Sequence, residues 1–236
     1  LKENEMPSNP CRSEEPRKGS RLQLCSYVNE HRNSLNRTVL SRLQEEGGRY
    51  SSLNWVSPIK ADHFTEYRDG DFLGRINLSH LERSLRKFWP ANGPCWDGLA
   101  VAQSANAPGK NGIILVEAKS HRLEVCGAGC GADGRSKEMI EGALDSTKKW
   151  LGVSSRVPWS SQLYQYANRL AHLYFFREIV KPSVEAWLVN VYFTSDPYRP
   201  TSEEQWADFL PEVKTALGLP ASARYVLDVF LPAVAG

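Results

Sequence analysis

The chain has 236 residues, 41% of them hydrophobic, and its 29 Lys and Arg against 27 Asp and Glu leave a net charge of +2. That length suits one sizeable domain, or a domain with a helical extension. No apolar run reaches the roughly 18 residues of a membrane span, and the polar start LKENEMPSNPCRSEEPRKGSR has no apolar centre of a secretory signal. The charge balance does not announce a nucleic-acid binder, although it leaves room for a locally basic surface.

Residues 1–20 read as a disordered tail. Arg21 to Glu46 reads as a helix, with Leu24, Val28, Leu35, Val39 and Leu43 at helical spacing, His31 and Arg32 interrupting the stripe, and Gly47 and Gly48 ending it. Tyr50 to Asn77 reads as an irregular packed connection. Ser79 opens a helix carrying Leu81, Leu85, Phe88 and Trp89 on one face, with Ser79 and Glu82 at capping-box spacing. WDGLAVAQ and IILVEAK flank the turn signal SANAPGKNG, which predicts a hairpin. A turn near Ala107 or Pro108 makes the numbers of antiparallel partners sum to about 214–216, so Asp97 falls opposite Glu117 to Lys119. A glycine-rich loop, CGAGCGADG, follows. Helices are expected over Ser136 to Leu151, capped by Gly152, over Ser161 to Val180, and over Ser202 to Leu217. Strands are expected at VEAWLVNVYF and RYVLDVFLP. The order implies a mixed sheet flanked by helices.

Five cysteines, at positions 11, 25, 95, 126 and 130, are odd in number and irregular in spacing. That argues against a disulfide framework and for free thiols in a reducing cytoplasm. The spacing of Cys126, Cys130 and Cys95 is equally poor for a zinc site.

The chemistry concentrates at the end of GIILVEAK. Strand side chains alternate, so Glu117 and Lys119 share a face and Ala118 turns away. The hairpin adds Asp97. Two carboxylates side by side repel unless a cation lies between them. Mg²⁺ suits such a site, with the peptide oxygen of Ala118 as a third protein ligand. A metal so held polarises a phosphoryl oxygen and lowers the pKa of water, and Lys119 can serve the water or the developing phosphate charge.

Asp97 followed by Glu117-Ala118-Lys119 resembles the D…E-x-K signature of the PD-(D/E)XK nuclease superfamily, with Pro94 three positions before the aspartate in GPCWDG. The resemblance implies a restriction-endonuclease-like α/β/α core with an N-terminal helical extension. The extension spans 21–77 and the core 78–236, within a single nuclease-like domain over 21–236. It makes Asp97 and Glu117 metal ligands and Lys119 catalytic, with Mg²⁺, or Mn²⁺, as cofactor. Glu82, in LERSLRKF, resembles the glutamate that archaeal Holliday junction resolvases carry near the metal. Gln162 and Tyr166, in SQLYQYANRL, resemble the Q-x-x-x-Y motif of RecB-like nucleases, where the pair organises the site. The implied partner is nucleic acid, DNA rather than RNA, with no membrane; a homodimer is one option for assembly. The bland alternatives are an exposed Glu117–Lys119 ion pair, a Glu82 that closes a capping box with Ser79 or pairs with Arg86, and a Tyr166 that is a core aromatic. A nuclease-like fold retained only as a non-catalytic binding module is the runner-up.

Overall fold

The computed structural model describes residues 11–107, 109–154 and 156–234. Five strands form one open mixed sheet in the order β1-β2-β3-β4-β5: β1 (Tyr50–Ser57), β2 (Gly98–Ser104), β3 (Gly112–Lys119), β4 (Ala186–Thr194) and β5 (Val226–Pro232). The first three are antiparallel, and β3, β4 and β5 run parallel. The central strands read as nearly unbroken apolar runs because both of their faces are covered.

Alternation sorts each strand between two cores. Ala100, Ile114, Val116, Ala118, Val189 and Val191 pack with Leu24, Val28, Leu35 and Val39, which belong to α1 (Gly19–Asn29) and α2 (Arg32–Glu45). Leu99, Val101, Ile113, Leu115, Leu188 and Tyr192 pack into the larger core on the other face. There lie α3 (Asp69–Arg75), α4 (Glu82–Phe88), α5 (Gly134–Leu151), α6 (Tyr164–Tyr174) and α7 (Glu203–Leu217). Gly98 lets α1 come close: a Cβ there would stand 3.2 Å from Leu24 and 3.3 Å from Val116.

Five expectations are corrected. The single helix over 21–46 is two helices broken at Glu30 and His31, where the stripe was interrupted. The irregular stretch after Tyr50 contains β1, which pairs with β2 from Tyr50↔Ser104 to Ser57↔Leu99. The expected helix at Ser79 is a 3-10 turn, Ser79–Leu81, leading into α4; no side-chain cap bond forms at either start, so the Ser79–Glu82 capping box is absent. From Cys11 onward the supposed tail is tied down. Cys11 forms a disulfide with Cys95, 84 residues away, and Arg12 bridges to Glu66 in the manner of a strand; residues 1–10 lie outside the described region. Cys95 is therefore not a free thiol, and the cysteines no longer speak for a reducing compartment. Cys25, Cys126 and Cys130 are free. Among the described residues, no helix is long and apolar enough to cross a membrane.

Candidate active site

The hairpin closes with partner numbers summing to 214: Gly98 pairs with Val116 and Leu99 with Leu115. Asp97, one residue before β2, continues that register, and its Oδ2 accepts the Ala118 N–H at 2.8 Å. Glu117 and Lys119 share the face toward α6, and Glu117 Oε1 lies 2.6 Å from Lys119 Nζ. The three residues of the signature, with Ala118 as the backbone link, thus meet at the C-terminal end of β3.

Helix α6 supplies partners that the motif did not identify. Gln165 Oε1 accepts from Lys119 Nζ at 3.1 Å. One turn on, Arg169 Nε donates to Glu117 Oε2 at 2.6 Å, and its second arm reaches the Cys95 carbonyl at 2.7 Å. The guanidinium also lies 4.9 Å from the Trp96 ring centre, so it is clamped between β3 and the residues leading to Asp97. Gln165 and Arg169 are four apart on one helix face. An arginine within the apolar run YANRLAHL was the sequence signal for a buried partner.

Gln162 lies elsewhere. Helix α6 begins at Tyr164, so 162 and 166 do not share a helical face. Gln162 is exposed, and its carbonyl accepts the Gly127 N–H at 2.8 Å. Tyr166 does reach the site: with Glu117, Lys119, Val125, Gln165 and Asn190 it borders a void of about 10 Å³, roughly the room one water needs. Its hydroxyl accepts from Asn190 Nδ2 at 3.0 Å, and the same amide reaches Asp228. Glu82 is turned to α3, where its carboxyl would lie 2.8 Å from a Cβ at Gly70; Arg86 pairs with Asp69 instead.

Glu66 is a further carboxylate that the sequence did not mark. It is 1% exposed and pairs with Arg21 at 2.8 Å and Arg12 at 3.9 Å. Burial raises its pKa, the two arginines pull it back, and Glu117 adds repulsion. Asp97 is pushed up to about 7, first by burial and then by Glu117, against the pull of Lys119. Glu117 behaves oppositely: burial would raise it, but Arg169 and then Lys119 together hold it below the usual carboxylate range. Two adjacent carboxylates with opposed shifts are the pattern expected of groups with different tasks.

Among the described residues no group of three or more His, Cys, Asp and Glu side chains is arranged to hold a metal. Mg²⁺ does not require one, since it commonly takes one or two carboxylates and keeps waters. The donors here fit it. Asp97 and Glu117 offer hard oxygens, Glu117 adds to burial in raising Asp97, and Glu117 Oε1 is engaged only by the Lys119 ammonium at 2.6 Å. A cavity of about 720 Å³ lies between α2, α7 and β5. Its one carboxylate, Asp228, is matched by Lys214 at 2.7 Å, so size and chemistry point to different places and the chemistry belongs to β3. No protein-family model, curated protein or solved structure matches the chain.

Proposed function

We propose that this chain is a metal-dependent nuclease of the PD-(D/E)XK class, hydrolysing phosphodiester bonds in nucleic acid, DNA by preference. The observation that carries the reading is the convergence of Asp97, Glu117 and Lys119 at the end of β3, fixed by the Asp97–Ala118 hydrogen bond. An antiparallel hairpin followed by parallel strands, with helices on both faces, supports a restriction-endonuclease-like core.

Asp97, Glu117 and the Ala118 carbonyl would hold Mg²⁺, with Mn²⁺ as a substitute. When bound, the ion supplies Lewis-acid polarisation of a phosphoryl oxygen and a more acidic water. Arg169 fixes Oε2 of Glu117, which leaves Oε1 as the edge directed to Lys119. Gln165 and Glu117 hold the Lys119 ammonium from two sides, beside a void of one-water size. There it orients the attacking water and balances charge developing on the phosphate. Tyr166 and Asn190 wall the void.

A second reading has one observation in its favour: Glu117 is already neutralised by Lys119 and Arg169, as a structural ion cluster in a binding module would be. The two separate on plasmid, linear and single-stranded DNA incubated with Mg²⁺, Mn²⁺ or chelator. The nuclease predicts metal-dependent cleavage that falls at least about a hundredfold in Lys119→Ala. Cleavage indifferent to both chelator and substitution would sink it, and binding without cleavage selects the module.

A further inference from the structure

Three segments meet just past Lys119. The first is the continuation of β3 through Ser120 and His121 into the turn Arg122–Glu124. The second is the loop after β4, ordered by Ser195 N–H to the Thr201 carbonyl at 2.9 Å and by Tyr198 N–H to Asp196 Oδ1 at 2.8 Å. The third is the start of α1, where a Cβ on Gly19 would lie 3.7 Å from Ser120 Oγ and 4.0 Å from the Tyr198 ring.

Tyr198 is 43% exposed at this rim and Leu123 is 72% exposed. Lys18 Nζ lies 4.1 Å from the Tyr198 ring centre and the Arg199 guanidinium 5.5 Å; the His121 ring is 6.3 Å away. Both cations lie over the ring of this partly exposed tyrosine, and a strand that draws them onto its phosphates frees the ring face for an unpaired base. Charge alone does not recruit a duplex here. The groove that runs on from the rim, about 440 Å³, carries Arg12, Arg17, Lys18 and Arg21 but also Glu14, Glu15 and Glu124, and Arg12 and Arg21 are already engaged by Glu66. Stacking is the contribution that remains, and a paired strand hides its base faces.

We propose that single-stranded DNA crosses this rim, one base stacked on Tyr198 with its neighbouring phosphates on Lys18 and Arg199, so that the next phosphodiester reaches Asp97, Glu117 and Lys119. This rests on the nuclease reading for what happens to the strand, but not for its binding. The test uses the full chain in chelator, with fluorescein-labelled oligo-dT and a matched hairpin duplex, followed by anisotropy. Oligo-dT is expected to bind more tightly than the duplex. Tyr198→Ala should weaken it about tenfold and Tyr198→Trp restore it, while Lys18→Gln should lower the salt dependence by about one phosphate contact. Equal or tighter duplex binding, no binding to either probe, or no effect of Tyr198→Ala overturns the proposal. If Tyr198-dependent binding occurs and Mg²⁺ brings no cleavage, the nuclease reading fails and the rim stands. If cleavage depends on Lys119 and ignores Tyr198, the rim fails and the nuclease stands.

Discussion

At the scale of residues, the decisive contact is Arg169 on Glu117. Both are buried, and the pair is bonded at 2.6 Å. Breaking a buried pair costs about 3–5 kcal/mol when the other charge is left alone, and the Lys119 ammonium that remains on Glu117 puts this case at the low end. Arg169→Met should therefore lower unfolding stability by about that much in urea titrations. Adding Glu117→Gln should cost less than the same change in the parent, because Glu117 has by then lost Arg169 and keeps only Lys119. A fully additive double variant would show that the two residues do not act as a pair. The sequence located one half of this contact and not the other. Glu117 was legible from strand alternation, whereas Arg169 is 52 residues away and becomes a neighbour only when α6 packs on the sheet. Gln162 shows the same gap at shorter range. Its spacing to Tyr166 suggested a shared face, but α6 starts two residues later and Gln165 takes the place beside Lys119.

At the scale of elements, α6 is the inner wall of the site, and it carries a built-in acid sensitivity. His172 is 1% exposed, donates through Nδ1 to the Asn168 carbonyl at 2.8 Å and packs against Trp89 and Trp96. Burial pulls its pKa down to about 3. The folded protein keeps this imidazole neutral while the unfolded chain protonates it near 6.5. The unfolded state thus binds more protons between those values, so the stability due to His172 is full above about pH 6.5 and is lost as pH falls toward 3. His172→Gln should flatten the wild-type loss of melting temperature between about pH 6 and 4. Parallel pH profiles for the two proteins would dismiss the idea. The element that escaped the sequence was β1. Leu53, Trp55 and Ser57 do alternate inward, but Ser51, Ser52 and Asn54 gave the stretch a loop-like composition. It is an edge strand, so polar residues on its open side cost little.

At the scale of the whole molecule, the N-terminal segment is stapled across the site. The Cys11–Cys95 bond ends two residues before Asp97, and Arg12 and Arg21 converge on Glu66. Thiol titration in denaturant should find three reactive cysteines before reduction and five after. In the native protein exposed Cys126 should react first, and Cys25, buried and with its thiol pushed up to about 12 mainly by burial, last. Closing so long a loop constrains the unfolded chain, so reduction should lower stability by roughly 2–4 kcal/mol and make the bonds after Arg12 and Arg17 accessible to trypsin. Five thiols in the unreduced protein would contradict the staple.

The sequence by itself determined the hairpin, its register and the face shared by Glu117 and Lys119. Turn chemistry and a period of two are local properties, and they were enough to set Asp97 opposite them. The tertiary structure alone decided what surrounds that triad: Arg169 and Gln165 from α6, Glu66 from the stretch before α3, Cys11 from the N-terminal segment, and Lys18 and Tyr198 at the rim. Each comes from a different part of the chain. Their mutual distances depend on how helices pack on both faces of the sheet, and the burial that raises Asp97 and Glu66 and the arginine that holds Glu117 low come into place only once that packing is complete.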